Sequence, residues 1–196
     1  MLEKISLGKF FKYSLFILFL VVFTGCSYKH KVSYKPDYEL SNKLDNYKLG
    51  KINAEKTYNS DYNSFYELSI ASNSDLISYY GNNFEDYLAT ALQMQLQQNN
   101  LFDKKSDITI RTTLLVNELK EGNFTSSYRV IANFQINDNN RTIYSVNKSI
   151  NHEFKLGLFG TSIDVFINNY PIAIQKVISA FFYDSQVIEV LKSNKK

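Results

Sequence analysis

One cysteine, two histidines, two prolines and no tryptophan occur in the 196 residues. A single thiol rules out an intrachain disulfide. It also rules out a zinc site unless several histidines or carboxylates converge on it. With His30 and His152 the only imidazoles, no metal site and no cofactor is expected. The glycine loop of nucleotide binders and the GxSxG and HExxH patterns are absent, which removes the commonest hydrolase and nucleotide chemistries. Net positive charge is small too: 22 basic residues stand against 19 acidic ones, a net charge of +3, without the clustered basic face that duplex binding needs, so no nucleic acid is expected as a partner. Lys192, Lys195 and Lys196 read as a short solvated tail. The apolar run Leu15–Phe23 has nine residues, too few for a bilayer span of about 20.

What stands around that run is informative. Lys4, Lys9 and Lys12 precede it, and Thr24-Gly25 supply small residues directly before Cys26. A basic stretch, an apolar stretch and a small-residue cleavage site are the three parts of a secretory signal. Removing it takes away three lysines and Glu3 and leaves +1. The sequence Phe23-Thr24-Gly25-Cys26 resembles the lipobox of bacterial lipoproteins, with Phe where that family more often has Leu. The resemblance implies cleavage between Gly25 and Cys26, acylation of the Cys26 thiol and membrane lipid as the first partner. Such lipoproteins are triacylated, and more than one chain makes a durable anchor. The competing reading is an uncleaved N-terminal anchor with a buried Cys26. Ser27 is not the Asp that resembles an inner-membrane retention signal. This favours the outer membrane with the domain facing the periplasm, the inner membrane and the cell surface being the alternatives.

Three segments are expected: residues 1–25 as lipoprotein signal peptide, 26–45 as the lipidated Cys and a flexible tether, and 46–196 as a single α+β domain. Ser27 to Asp45 is polar and reads as extended chain. Asn46 to Ala54 offers a first strand through Tyr47, Leu49 and Ile52. Tyr58 to Asn83, rich in Asn, Ser and Tyr, reads as a long loop with one short strand at Tyr66 to Ala71. Asn83 caps a helix running to about Asn99, its apolar stripe being Phe84, Tyr87, Leu88, Ala91, Leu92, Gln95 and Leu96. The opposite face, with Glu85, Thr90, Gln93, Gln97 and Gln98, should be wet. Asp107–Leu119, Ser127–Asn137 and Arg141–Phe154 alternate as strands, joined by short connections into an antiparallel meander. On the first of them Ile108, Ile110, Thr112, Leu114 and Val116 should share a face. Asp138-Asn-Asn140 suits the hairpin turn because these residues tolerate left-handed backbone. Gly157 and Gly160 bracket a turn, and Thr161 or Ser162 caps a short helix. A break is expected near Asn168 to Tyr170, since an interior proline such as Pro171 disrupts a helix. A second helix then runs to Tyr183, and Val187 to Leu191 forms a last helical piece. The order is β-α-β-β-β-α. The fold class is α+β, a two-layer sandwich of a mainly antiparallel sheet with helices on one face.

Chemistry is sparse. His152 beside Glu153 could serve as a general base, but adjacent strand residues point to opposite faces, which favours a plain strand residue. Tyr58, Tyr62, Phe65 and Tyr66 form the best candidate binding loop, because clustered exposed aromatics mark recognition surfaces. Partial packing on the sheet is the bland reading of the same residues.

Tyr80-Gly-Asn-Asn-Phe-Glu-Asp-Tyr-Leu88, Leu101-Phe-Asp103, Thr113-Leu-Leu-Val-Asn-Glu-Leu119 and Ile167-Asn-Asn-Tyr-Pro171 together resemble a group of uncharacterised proteobacterial lipoproteins over about Ile52 to Leu191. The wider layout is similar to periplasmic auxiliary lipoproteins of ABC-type lipid transport and of lipopolysaccharide assembly. The resemblance brings no catalytic residue, only Cys26 as lipid attachment site. The expected function is a non-catalytic binding or assembly module, with an envelope protein complex or lipid as partner. The alternatives are an envelope hydrolase and a surface antigen without a specific ligand.

Overall fold

The computed structural model describes residues 27–57, 65–70, 73–157 and 162–194. The signal-like segment, Cys26, Gly160 and Thr161 lie outside them. The described elements, in order, are β1 (Tyr28–Val32), α1 (Tyr38–Tyr47), β2 (Asn53–Lys56), β3 (Glu67–Ile70), β4 (Ser74–Ser78), α2 (Phe84–Gln98), β5 (Ile108–Lys120), β6 (Thr125–Asp138), β7 (Arg141–Lys155), α3 (Ile163–Phe182) and α4 (Ser185–Ser193). The class is the expected α+β sandwich, with more elements than the expected order.

The strands form two sheets. One has the order β2-β5-β6-β7, the other β1-β4-β3. The meander of β5, β6 and β7 is antiparallel throughout, and β2 adds a parallel strand at its edge. Its inner face is apolar: Tyr128, Val130, Ala132, Phe134 and Ile136 of β6 are all buried. The turn between β6 and β7 has left-handed backbone at Asn139 and Asn140, φ 47° and 67°, as the Asn pair requires.

A bulge alters the expected face of β5. Leu114 opposes Ala132 and Val116 opposes Ile131, so Leu115 is the extra residue. An inserted residue reverses the alternation beyond it. Val116 therefore leaves the inner face and Asn117 enters it, buried. There Asn117 Oδ1 accepts a hydrogen bond of 3.1 Å from the Tyr170 hydroxyl, which would otherwise be stranded in the core.

The expected break at Pro171 does not occur, and α3 is one helix of 20 residues. Pro171 has no N–H for the carbonyl of Ile167, and an interior proline costs about 3 kcal/mol. Against this, α3 buries Phe166, Tyr170, Ile174, Val177, Ile178 and Phe181, each contributing about 1.5–3 kcal/mol. Burial wins. In the turn ahead of the proline, Asn169 Nδ2 donates to the Val165 carbonyl at 2.7 Å and the Tyr128 hydroxyl to the Phe166 carbonyl at 3.1 Å. These bonds fix the turn to itself and to the sheet.

The region before residue 46 is not a tether. β1 pairs in parallel with β4, Tyr28 opposite Ser74 through Val32 opposite Ser78. Asp37 caps α1, its Oδ1 accepting from Glu39 N at 2.9 Å and Leu40 N at 3.3 Å. Val32, Tyr34, Leu40 and Leu44 are buried in the same core cluster as α2 and α3. Four such side chains are too few to show a period in the sequence, yet they suffice physically. Tyr47, expected in a strand, ends α1, and the strand that follows begins only at Asn53. In the expected long loop, β3 lies where a short strand was predicted, and β4 is an additional strand. Its inward positions Ser74, Leu76 and Ser78 are two-thirds serine, so hydropathy alone hides it.

The contribution of residues 27–45 has a measurable consequence. Burying Val32, Tyr34, Leu40 and Leu44 amounts to about 6–12 kcal/mol at 1.5–3 kcal/mol each, as large as the whole stability of a domain, about 5–15 kcal/mol. A chain secreted with its fold starting at residue 46 is therefore expected to show no cooperative thermal transition by circular dichroism. A transition matching that of the full mature chain would contradict this assignment.

Candidate functional site

Three places were singled out by sequence or emerge from the fold. The first is His152, on the inner face of β7 and only 7% exposed. One ring nitrogen, Nε2, lies 2.9 Å from Asn169 Oδ1, and Nδ1 lies 3.0 Å from Lys176 Nζ. Both partners come from α3, two helical turns apart, so the helix holds the ring from both sides. Glu153 points to the opposite face and is exposed. Burial, assisted by the Lys176 charge, lowers the His152 pKa, against a smaller rise from Asn169. A neutral imidazole between an amide and an ammonium has no carboxylate to orient it, as a general base would need.

The second place is the aromatic loop. Tyr58 and Tyr62 lie outside the described residues. Phe65 is buried, and its carbonyl accepts from Phe84 N at 2.8 Å, which seats it under the start of α2. Tyr66 is 52% exposed. The described half of the loop is thus divided between packing and exposure.

The third place, not anticipated from sequence, is a cleft of about 520 Å³ between β2 and α2. Ala54, Gly81 and Ala89 make room for it, and Glu55, Lys56, Asp86, Thr90 and Gln93 line it. Gly81 has φ +62°, and a Cβ there would fall 2.0 Å from Asp86 Oδ2. That close approach lets Asp86 accept from Asn82 N at 3.1 Å while ion-pairing with Lys56 across the cleft. Asn83 caps α2 as expected, its Oδ1 accepting from Asp86 N at 2.7 Å. Glu85, expected to be wet, is buried in the first turn, where the positive end of the helix dipole favours a carboxylate. Thr90 and Gln93 are half-buried in the cleft, while Gln97 and Gln98 are exposed as expected. The cleft lining is mostly polar, so it suits a polar or peptide group better than an acyl chain.

A fourth feature is structural. Burial raises the pKa of Tyr34, Tyr87, Tyr128 and Tyr170, so these core hydroxyls stay protonated. Among the described residues no group of three or more His, Cys, Asp or Glu side chains could hold a metal ion, and no helix is long and apolar enough to cross a membrane.

No family model and no curated protein matches the chain. Solved structures do. A Xanthomonas campestris protein of the family called DUF330 superposes with a TM-score of 0.59 at 8% identity, covering 85% of this chain and 99% of the other. A hypothetical protein from Chlamydia trachomatis gives 0.43 at 10% identity, over 74% and 99%. A minor lipoprotein from Acinetobacter baumannii gives 0.36 at 13% identity, over 74% and 92%. The first is similar in fold along nearly its whole length; the other two are only partly alike.

The His152 environment predicts a pH dependence. Its folded pKa lies below the ordinary 6.5, so the unfolded chain binds the proton more readily and stability rises with pH across this range. Stability from this site is full above the ordinary value and is lost as pH falls through the lowered one. Asp75 and Asp184, held below the usual 3.8 by hydrogen bonds from Ser27 and Lys148 respectively, lose their contribution only at lower pH. The urea midpoint is expected to decline below about pH 6.5, and His152→Gln should flatten that decline. An unchanged slope in the variant would show that other groups cause it.

Proposed function

We propose that the chain is a bacterial envelope lipoprotein, cleaved before Cys26 and acylated on its thiol. It acts as a non-catalytic binding or assembly module facing the periplasm from the outer membrane. The observation that carries the reading is the junction: a basic, then apolar, then small-residue segment ends at Gly25-Cys26, and the fold begins at the next residue but one. A targeting segment joined so closely to a domain leaves acylated Cys26 as its attachment. An auxiliary role in envelope transport is inferred from the sequence alone, whose layout resembles auxiliary lipoproteins of ABC-type lipid transport and of lipopolysaccharide assembly. The polar cleft between β2 and α2, with Tyr66 close to the start of α2, favours a protein partner over an acyl chain.

A hydrolase needs at least two converging titratable groups in a cleft. Among the described residues His152 meets an amide and an ammonium, and in the cleft Lys56 is ion-paired with Asp86 and Glu55 with Arg111, so none of these groups favours that reading.

Two experiments test the proposal. Replacing residues 1–26 with an ordinary cleavable signal peptide removes the thiol without touching the core. The product is expected to be soluble in the periplasm and to unfold cooperatively; continued membrane association would show that something other than acyl chains holds it. For the cleft, Thr90→Arg together with Gln93→Arg changes half-buried wall residues, a class of substitution that leaves stability within a few kcal/mol. Pull-down from detergent-solubilised envelope should recover a defined partner with the native chain and lose it with the double variant. Equal recovery by both would exclude the cleft as the docking site.

A further inference from the structure

We propose that the protein stands on the membrane in one fixed orientation, with the end that carries Tyr28 and the β5–β6 hairpin resting on the lipid headgroups. The proposal rests on acylation of Cys26 and goes beyond it, because an acyl anchor on a flexible tether would fix no orientation at all.

The first argument is reach. Only Ser27 separates Cys26 from β1. At no more than about 3.6 Å per residue, the Cys26 Cα lies within roughly 7 Å of that of Tyr28. The start of the chain is itself fastened. The Ser27 hydroxyl donates to Asp75, and Tyr28 N donates to the Asn73 carbonyl at 2.9 Å. The acyl chains therefore attach to a sheet and not to a leash.

The second argument is direction. Gln175 Nε2 donates to the Lys35 carbonyl at 2.8 Å, and the Ser179 hydroxyl to Asp37 Oδ2 at 3.1 Å. The N-terminal segment and α3 thus run the same way, and β1 starts level with the start of α3. Tyr128 reaches Phe166 and Phe134 stacks on Phe181 at 4.5 Å, so β6 also runs with α3. The β5–β6 hairpin consequently lies at the same end as Ser27. At this end two aromatic rings are turned to solvent: Tyr28 is 72% exposed and Phe124 70%. Neither packs on the core, and rings of this kind are favoured at the headgroup level of a bilayer. The opposite end carries the polar Asn139-Asn140 turn and the exposed Lys104 and Lys105; the exposed Tyr38 and Tyr183 lie beside the C-terminal end of α3, away from Cys26, so reach and direction, and not aromatic exposure alone, choose the membrane-side end.

The orientation sets a height for the cleft. Lys56 is in register with Thr112, eight residues of β5 above Lys120. At about 3.3 Å per residue the cleft is held roughly 25 Å from the membrane-side end.

Because Cys26 is the only cysteine and would be acylated, a cysteine introduced elsewhere is the single free thiol. Asn123→Cys in the hairpin and Lys105→Cys at the far end are labelled with an environment-sensitive fluorophore. Each full-length lipoprotein is then reconstituted into phosphatidylethanolamine–phosphatidylglycerol vesicles containing a headgroup-region spin-labelled lipid. Quenching is expected to be several-fold stronger at position 123 than at 105, and a Gly/Ser linker inserted between Cys26 and Ser27 should abolish the difference. Equal quenching at the two positions without the linker would overturn the fixed orientation while leaving acylation intact. Intact mass of the same preparations reads acylation separately. An unmodified Cys26 would remove the underlying reading, and the orientation with it.

Discussion

The amide of Gln95 holds the N-terminal third of the fold in place. Gln95 is wholly buried in α2. Its Oε1 accepts from Asp37 N at 2.8 Å and from the Tyr34 hydroxyl at 3.2 Å, while Nε2 donates to the Ser41 hydroxyl at 2.8 Å and to the Asp37 carbonyl at 3.2 Å. A buried amide without partners would be costly, and one with all of them specifies a single arrangement. Asp37 is the other half of the device. It caps α1 with one carboxylate oxygen and accepts from Ser179 of α3 with the other. Three helices thus meet at one carboxylate and one amide. Asn99, a turn beyond Gln95, adds bonds of 2.7 Å to the Ser41 carbonyl and 2.9 Å to Asp45.

That junction decides how the anchor relates to the domain. Beside the burial of Val32, Tyr34, Leu40 and Leu44, it fixes where residues 27–47 sit, which their polar composition does not show. With it, β1 is drawn against β4 and alongside α3. The chain directly after the proposed lipid attachment point is thereby built into the folded body. The orientation on the membrane and the height of the cleft both follow from this coupling.

The sequence is most legible where a period is long. α2 was readable from its seven-position stripe and from Asn83, which caps it. The meander was readable from the uninterrupted alternation of β6 and the Asn-Asn turn. α4 was visible through Val187, Ile188 and Leu191. What stayed hidden has specific causes. β1 pairs with a strand more than forty residues away, a long-range contact with no local signature. α1 is short, and its apolar face rests on Leu40 and Leu44 alone, too few positions to read as a period, while the Asp37–Gln95 junction that seats it is a long-range contact. The bulge at Leu115 cannot be seen in an apolar run that reads equally well in either register. Pro171 misled because its local penalty is clear, while the burial that outweighs it is tertiary.

The site was less legible than the fold. His152 could be recognised as an improbable base, but its clamp between Asn169 and Lys176 needed the packing of α3 on β7. The cleft arises from three small residues on separate elements, Ala54, Gly81 and Ala89, which no motif connects. Gln95 reads in sequence as a polar residue on an apolar stripe, and that anomaly was the one available signal of a buried network.

The central claim is that the segment after Cys26 belongs to the folded body. Hydrogen exchange of the chain, followed by mass spectrometry of peptides spanning residues 28–47, tests it most directly. The account predicts that amides of β1 and α1 are protected to a degree similar to those of α2, because both depend on the same buried junction. Exchange across 28–47 as fast as in an unstructured peptide, with α2 still protected, would contradict it.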